Sequence, residues 1–524
     1  MTRASRDGLT RREFLGRTAV LGLSLTAAGR VLSACGDGAA SPSPDAFADA
    51  SGRIVVGPSD PRFTYVGRWG FDDPARPTAG WQGSSVALRL DGTGVDATLD
   101  AGKRREYSRV VVDGDAAGST RFAASPGVAT YRLAADLPSG EHRVELVKET
   151  EAGRGFAVHG FAVTGRPLAA SPPAPRHLEF YGDSGLAGFS LMSERNEEGW
   201  DLVGSFNTYA GVTARAFGAD YHNISVSGAT LASMARDYAR RDRHDASSTW
   251  DFARYPADVV VVDLGSNDVY EVPPAEVRKR YVRLLDRLRA AHPAAHIVLF
   301  DSYGWGKVEP ADYSAEVVAG YGDPSVSAAF FPWLFERWHG CESDHGGMAR
   351  YLIAHLERVT GWKAGEPDLM SGYGWEGGFA NGGFEEAAPF GGFGWRYADA
   401  PGVERVRDAA SAHEGEHFLR LGRGASVHQS NPARGGQEVT VALWMRGAVE
   451  GARAALTVDF RGQEMGTPPL RSRTRTFALS TEWRRYELSA RAPFVPVDPV
   501  FQTRLTLFGA RGTAELDGLE MRTT

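Results

Sequence analysis

The stretch that decides the fold is His177–Ser184, which reads HLEFYGDS. A short apolar strand leads into a tight turn, and a glycine lies on either side of the Asp183–Ser184 pair. This pattern predicts a strand, a sharp turn and a serine presented where a helix begins. A hydroxyl in that place is exposed, and the free N–H groups of the helix start point at whatever it attacks. Turns commonly use Gly, Asp and Ser, so the stretch alone also fits an ordinary turn.

Two later stretches have the same form. The run Val259–Asp268 (VVVVDLGSND) begins as a buried parallel strand, and His222–Gly228 is a second short strand closing on a glycine. In open α/β sheets, ligands bind beyond the carboxyl ends of the strands. Three strand ends would therefore bring Ser184, Gly228 and Asn267 to one edge. A hydroxyl, a backbone N–H and a carboxamide can form a nucleophile with two oxyanion donors.

A base for this serine is available in Glu342–His345 (ESDH). His345 precedes the helical pattern of Met348–Leu356, and a histidine in a loop before the last helix of an α/β domain can reach back across the strand ends. Glu342 can orient the imidazole, and Asp344 is the less natural choice for the same task.

These residues resemble the four sequence blocks of the SGNH (GDSL-type) hydrolases, at 182–184, 228, 265–268 and 342–345. The resemblance covers about Arg176 to Trp362. It implies that Ser184 is the nucleophile and His345 the general base. It also implies that the oxyanion hole consists of the Ser184 N–H, the Gly228 N–H and the Asn267 side chain.

Two positions depart from the family pattern. Gly185 stands where an aliphatic residue is usual, and Glu342 where an aspartate is usual. Some relatives orient the histidine through backbone carbonyls, so the orienting group stays open among Glu342, Asp344 and a carbonyl. The same departures motivate an alternative, a surface glycan-binding lipoprotein whose esterase domain is inactive.

The segment from Ile54 to Arg166 is predicted to be all-β, with separate short strands between Gly/Asp turns at 85–90, 95–99, 108–112, 130–133 and 142–147. This spacing favours a small sandwich or jelly roll. The stretches 67–71 (GRWGF) and 80–85 (GWQGSS) resemble the N-terminal jelly roll of family-two carbohydrate esterases. Those enzymes pair such a domain with an SGNH domain.

The segment 374–524 is also β-rich and predicts a β-sandwich. It opens with NGGFE (381–385) and ends with GTAELDGLEM (512–521). This bracketing resembles carbohydrate-binding modules of the family-four and family-nine type, which have a galactose-binding-like jelly roll. By that resemblance Glu385 and Asp517 would hold a structural calcium, since carboxylate oxygens suit this cation. The alternative is a sandwich that only packs against its neighbour.

The N-terminus has the composition of an export signal. The stretch Thr10–Leu15 (TRREFL) precedes a short apolar run, as in a twin-arginine signal. The stretch Leu32–Cys35 (LSAC) resembles a bacterial lipoprotein cleavage box, so Cys35 is expected to carry a lipid anchor. The predicted organisation is signal 1–35, tether 36–50, jelly roll 51–168, hydrolase domain 175–365 and sandwich 374–524.

Composition excludes several classes of protein. The chain has 524 residues, 42% of them hydrophobic, yet no apolar run reaches membrane-spanning length. Its net charge is −7 without a concentrated basic face, which argues against nucleic acid as a partner. Cys35 and Cys341 are the only cysteines, so a disulfide framework is excluded, and paired-ligand zinc spacings do not occur.

The combined prediction is a multi-domain protein with an N-terminal β jelly roll, a central α/β SGNH domain and a C-terminal β-sandwich. The resemblance implies a cofactor-free serine esterase, expected to be a monomer, that removes O-acetyl groups from a polysaccharide such as xylan or mannan. Trp305, Trp333 and Trp338 could stack on sugar rings or simply pack in the core. An esterase for lipid or thioester substrates is a further alternative, although two flanking β-domains suit extended polymers better.

Overall fold

The computed structural model describes residues 52–524 apart from 152–154, 194–198, 303–312, 332–338, 375–377, 387–393, 398–401, 462–467 and 495–499. The predicted export signal and tether, Cys35, and the three tryptophans Trp305, Trp333 and Trp338 lie outside the described residues. Within the described part, the helices are too short or too polar to cross a membrane.

The N-terminal domain is one antiparallel sheet of ten strands around an apolar core. Its main path runs in the order β3-β4-β10-β5-β9-β6-β7, with β1 on β10 and both β2 and β8 on β5. The strands are β1 (Ile54–Val56), β2 (Thr64–Val66), β3 (Trp69–Gly70), β4 (Thr78–Ala79), β5 (Ser85–Asp100), β6 (Glu106–Val112), β7 (Thr120–Ala124), β8 (Val128–Ala134), β9 (Glu141–Lys148) and β10 (Ala157–Pro167).

Strand β5 differs from the prediction, because 85–90 and 95–99 form one strand of 16 residues instead of two strands joined by a turn. Gly92, one of two glycines between these segments, lies against the neighbouring strand. A Cβ on Gly92 would meet the carbonyl oxygen of Thr164 at 2.2 Å, and Gly165 has a φ of 129°. Two facing glycines thus allow a close approach with a register shift between Thr164 and Gly165, and the strand bends without ending.

The central domain has the predicted α/β architecture. Its five-stranded sheet has the order β12-β11-β13-β14-β15, and all pairings are parallel. The strands are β11 (His177–Gly182), β12 (Asp220–Ser225), β13 (Val259–Asp263), β14 (His296–Ser302) and β15 (Val326–Phe331). The helices are α1 (Tyr209–Phe217), α2 (Leu231–Asp237), α3 (Pro274–Ala291), α4 (Tyr313–Tyr321) and α5 (Glu342–Thr360).

The sheet is covered on both faces, which explains the continuous apolar run of β13. Val260 and Val262 belong to the core shared with α2, α3 and α4, whereas Val259 and Val261 belong to the core shared with α1 and α5. All four side chains are buried. A strand with two buried faces needs apolar residues at every position, not at alternate ones.

The C-terminal region consists of two antiparallel five-stranded sheets, β16-β19-β24-β21-β22 and β17-β18-β25-β20-β23, with one shared core. Its strands are β16 (Arg396–Tyr397), β17 (Val403–Arg407), β18 (His417–Leu421), β19 (Ser426–Arg434), β20 (Glu438–Gly447), β21 (Arg453–Arg461), β22 (Arg471–Ala478), β23 (Arg484–Arg491), β24 (Val500–Arg511) and β25 (Ala514–Thr523). Two sheets enclosing one core form a β-sandwich, as the sequence predicts.

Candidate active site

Three strand ends of the central sheet lie level with one another. Gly182, the last residue of β11, pairs with Ser225 at the end of β12 and with Asp263 at the end of β13. The loops that carry Ser184, Gly228 and Asn267 therefore leave the sheet at one edge, as the sequence predicts for parallel strands.

The turn after β11 presents Ser184 in a different way from the one predicted. Residues 184–192 form successive turns and not a regular helix. The Ala187 N–H donates to the Asp183 carbonyl at 2.9 Å, and the Phe189 N–H donates to the Ser184 carbonyl at 3.0 Å. Leu186 folds back so tightly that a Cβ on Gly182 would meet its Cβ at 2.5 Å. Glycine is required before the Asp-Ser pair because the turn closes against it.

The histidine beside Ser184 is His339. Its Nε2 lies 2.9 Å from Ser184 Oγ, a hydrogen-bonding distance between a hydroxyl and a ring nitrogen. The ring also packs against Phe189, with ring centroids 4.9 Å apart. A serine and a histidine in this contact have the geometry of a nucleophile and its general base.

His345, the predicted base, lies elsewhere. It is 1% exposed, and its Nδ1 accepts a hydrogen bond from the Tyr209 N–H at 3.1 Å. The two rings also stack, with centroids 5.8 Å apart. Burial, and secondarily the positive charge that His339 can carry, lower the pKa of His345 to about 3, so this imidazole stays neutral. The structure contradicts its assignment as the base that accepts the Ser184 proton.

The error has a physical cause in the start of helix α5. The sequence interpretation began the helix at Met348 and left His345 in a loop, but α5 begins at Glu342. His345 is therefore inside the first turn and buried, whereas His339 lies in the preceding loop. Cys341 and Asp344 form a capping box at this helix start, but they are not the Ser/Thr and Glu/Gln of the usual signature, so the start is hard to place from sequence.

The two candidate orienting acids contact residues other than His345: Glu342 links α5 to the segment before α1, and Asp344 caps α5. Glu342 Oε1 accepts a hydrogen bond from Asn207 Nδ2 at 2.8 Å. Asp344 Oδ2 accepts one from the Cys341 N–H at 2.9 Å, and its other oxygen contacts the Tyr373 hydroxyl. Both assignments were made relative to His345 and are corrected together with it.

Asp183 connects the nucleophile turn to the loop after β13. Its Oδ1 accepts a hydrogen bond from the Gly185 N–H at 3.0 Å. Its Oδ2 accepts one from Asn267 Nδ2 at 3.1 Å and another from Ser266 Oγ. Asn267 Nδ2 also donates to the Ala229 carbonyl at 2.9 Å, so this amide joins all three loops. Asn267 therefore lies against Asp183, the neighbour of Ser184, and its role as an oxyanion donor stays a prediction.

The third loop carries Gly228. Its φ of 80° lies in the left-handed region, which favours glycine, and the next N–H, of Ala229, donates to the Val226 carbonyl at 2.9 Å. Glycine is therefore required by the backbone of this turn. The role of its N–H as an oxyanion donor stays a prediction.

A second carboxylate lies beneath this edge. Asp263 ends β13, and its Oδ2 accepts a hydrogen bond from the Tyr209 hydroxyl at 2.9 Å. Burial and the nearby Asp183 carboxylate raise the pKa of Asp263 to about 7, although the Tyr209 hydrogen bond acts in the opposite direction. Near neutral pH, Asp263 is therefore partly protonated.

The predicted calcium ligands lie in the C-terminal sandwich, against the loop 413–417. Glu385 Oε1 accepts hydrogen bonds from the Glu416 and His417 N–H groups, both at 2.9 Å. Asp517 Oδ2 accepts from the His413 N–H at 2.9 Å and from the Glu414 N–H at 3.1 Å. Among the described residues, no group of three or more His, Cys, Asp or Glu side chains could hold a metal ion. Carboxylates that face N–H donors anchor a loop, and this arrangement does not fit a calcium site.

Two known protein families match the N-terminal β-domain and the central α/β domain of this chain. Residues 65–173 match the family described as carbohydrate esterase 2 N-terminal, and residues 180–337 match the GDSL-like lipase/acylhydrolase family. The cellulase/esterase CelE of Acetivibrio thermocellus is 30% identical over 331 residues, which are 58% of this chain and 40% of that relative. The acetylxylan esterase/glucomannan deacetylase of Cellvibrio japonicus is 25% identical over 341 residues, which are 60% of this chain and 93% of that relative.

The similarity is also seen in three-dimensional structure. A family two carbohydrate esterase from Clostridium thermocellum in complex with cellohexaose matches with a TM-score of 0.53 and 29% identity, and the match covers 57% of this chain and 99% of that one. By contrast, this chain spans 40% of the length of the first curated relative.

The class of protein follows from these matches and the fold. The chain carries a carbohydrate esterase 2 N-terminal domain and a GDSL-like domain, and it is close to the family two carbohydrate esterases. The carbohydrate esterase homologues and the GDSL-like domain together support a carboxylic-ester hydrolase. The similarity of the C-terminal sandwich to sugar-binding modules stays a prediction from its sequence.

Proposed function

We propose that the protein is an exported serine esterase that removes O-acetyl groups from a polysaccharide such as acetylated xylan or mannan. The observation that carries the proposal is the 2.9 Å contact between Ser184 Oγ and His339 Nε2 at the carboxyl edge of the parallel sheet. The relatives support the substrate class, since one is named as an acetylxylan esterase and glucomannan deacetylase and another was solved with cellohexaose bound.

In the proposed mechanism, His339 accepts the proton of Ser184 as the hydroxyl attacks the acetyl carbonyl. The Ser184 and Gly228 N–H groups stabilise the oxyanion, and Asn267 contributes by sharing a hydrogen that it now donates to Ala229 or Asp183. His339 then protonates the departing sugar oxygen. Water, activated by the same imidazole, releases acetate from the acyl-enzyme, so proton transfer is balanced and a cofactor is not required.

The proposal extends to location and to the flanking regions. Cys35 would carry the lipid anchor that holds the enzyme at the bacterial envelope, on the support of the nested twin-arginine and lipoprotein patterns. The C-terminal sandwich would hold polysaccharide near the active site, on the support of its sequence resemblance alone. Cys35→Ala should give an exported protein that no longer partitions into detergent, and membrane retention of this variant would contradict the anchor.

The central test is acetate release from acetylated xylan, acetylated glucomannan and an aryl acetate. We expect the wild-type chain to release acetate, and Ser184→Ala to remain folded but lose several orders of magnitude in kcat. Residual activity within about tenfold of wild type would remove Ser184 from the mechanism. Polysaccharide binding without acetate release by the wild type would instead favour the glycan-binding alternative.

A further inference from the structure

The N-terminal β-domain contacts the active-site loop directly. We propose that Gln82 and Glu151 of this domain are positioning residues for the loop Ser225–Gly228. The inference rests on the proposed function, because Gly228 is the oxyanion donor of that mechanism. By this inference the N-terminal domain helps to position the oxyanion donor, in addition to packing against the hydrolase domain.

The first contact comes from Gln82, whose side chain is completely buried. Its Nε2 donates to the carbonyl oxygen of Ser225 at 2.9 Å and lies 2.5 Å from Ser225 Oγ. Ser225 is the last residue of β12, where the loop begins. The adjoining Gly83 also lies close to this strand, since a Cβ there would meet the Tyr221 hydroxyl at 3.1 Å and the Asn223 Cβ at 3.2 Å. The Gln82 turn is thus fitted against β12.

This contact continues into the nucleophile turn through buried hydrogen bonds. Ser225 Oγ donates to Asn223 Oδ1 at 2.5 Å, and Asn223 Nδ2 donates to the Leu186 carbonyl at 3.0 Å. Ser225 and Asn223 are both buried. Because buried polar groups are costly to leave unpaired, each bond in this series constrains its neighbour. Gln82 is therefore linked to Leu186, two residues after Ser184.

The second contact comes from Glu151, which follows β9 and is 3% exposed. Its Oε2 accepts a hydrogen bond from the Ser227 N–H at 3.0 Å and another from Arg243 Nη1 at 2.9 Å. Arg243 Nη1 also donates to the Glu151 carbonyl at 2.8 Å, which fixes the backbone of this segment. The Ser227 N–H belongs to the Val226–Ser227 peptide, which is next to the peptide that carries the Gly228 N–H.

Together the Gln82 and Glu151 side chains hold the loop at residues 225 and 227. The next residue is Gly228, whose backbone is in the left-handed region. Loss of the Glu151 oxygen would let the Ser227 peptide rotate and turn the Gly228 N–H away from the developing oxyanion. A donor aimed at charge that forms only in the transition state affects kcat more than KM. We therefore expect a kinetic signature that a purely structural contact would not produce.

The experiment compares Glu151→Ala, Glu151→Gln and Arg243→Ala on an aryl acetate, with thermal unfolding measured in parallel. Glu151→Ala should lower kcat about tenfold or more with KM within about twofold. Glu151→Gln retains an oxygen for the Ser227 N–H and should recover most of kcat. Arg243→Ala removes the ion pair while keeping the Glu151 oxygen, and it should resemble Glu151→Gln.

The outcomes separate the inference from the proposed function. Equal kcat losses in Glu151→Ala and Glu151→Gln, or an unchanged kcat in a folded Glu151→Ala, would overturn the positioning role. Gln82→Met removes the amide donor at nearly constant length, and it decides the question by the same kcat criterion if Glu151→Ala does not fold. An active Ser184→Ala would overturn the proposed function itself, whereas an inactive Ser184→Ala with unaffected Gln82 and Glu151 variants would overturn only this inference.

Discussion

Asp344 and Arg396 form an ion pair that joins the start of helix α5 to the C-terminal sandwich. Asp344 is nearly buried, and it also caps α5 by accepting the Cys341 N–H at 2.9 Å. Arg396 lies in β16 and also donates to the Tyr373 hydroxyl at 3.2 Å. Since Cys341 is two residues after His339, this contact joins the sandwich to the loop that carries His339, the proposed base.

The first prediction follows from this ion pair. Asp344→Ala should lower the free energy of unfolding by about 3 kcal/mol, because it removes the carboxylate that pairs with the largely buried Arg396 and also removes the helix cap. It should also lower kcat through displacement of His339. Thermal unfolding and steady-state kinetics check both effects. Glu342→Ala is the matched control at the same helix end, and an equal or larger loss in this control would contradict the role of Asp344.

A second prediction distinguishes the two histidines. His339→Ala should reduce kcat by several orders of magnitude, because the serine loses its base. His345→Asn should keep kcat within about tenfold, because the asparagine oxygen can replace Nδ1 as the acceptor for the Tyr209 N–H. The measurement is kcat of both variants on one acetyl ester. If His345→Asn is the more damaging change in a folded protein, the assignment of the base reverses.

Asn267 provides a third prediction. Asn267→Ala should lower kcat by about two orders of magnitude and leave KM nearly unchanged, because an oxyanion donor acts mainly in the transition state. Its bonds to Asp183 and Ala229 mean that some stability is lost as well. Ser266→Ala removes a neighbouring donor to Asp183 and serves as the control. A change confined to KM would make Asn267 a substrate-binding residue.

The fourth prediction concerns pH and Asp263. Its pKa is raised from 3.8 to about 7 in the folded protein. Between these values the folded protein retains a proton that the unfolded chain has released, so this group's contribution to stability is lost as the pH rises through the window. Asp263→Asn should remove that loss. Relative to the wild type, its free energy of unfolding should be about 1 to 2 kcal/mol more favourable at pH 8 than at pH 4, a figure that allows for partial solvent exposure.

Thermal or urea unfolding of the wild type and Asp263→Asn at both pH values measures this gain. The asparagine oxygen can still accept the Tyr209 hydroxyl hydrogen, so the packing is conserved. An equal stability difference at pH 4 and pH 8 would show that Asp263 does not titrate in this window.

The fifth prediction addresses the C-terminal loop 413–417. The wild-type protein should have the same melting temperature with added calcium as with a chelator, because Glu385 and Asp517 already accept backbone N–H groups. Glu385→Ala should lower the melting temperature under both conditions, since the loop loses its anchor. A rise in melting temperature with calcium that disappears in this variant would restore the metal site predicted by resemblance.

Local sequence was sufficient for the tight turn at Asp183–Ser184 and for the sheet. The apolar run Val259–Val262 has no polar position and is followed by a Gly turn, so it predicted a strand with two buried faces, and all four valines are buried. Glycines around Asp183–Ser184 predicted the tight turn, and parallel pairing brought the Ser184 and Asn267 loops to one edge. These features depend on residue periodicity and on backbone freedom, which are local properties.

Tertiary structure alone decided the rest, because it depends on contacts between residues distant in the chain. Both His339 and His345 lie near the start of α5, and packing selected His339 for Ser184 by burying His345 against Tyr209. Likewise, Gln82 is an ordinary polar residue in the sequence, and only the docking of two domains places it on Ser225. Residue patterns specify which elements form, whereas the chemistry of a site depends on which side chains those elements bring within a few ångströms of each other.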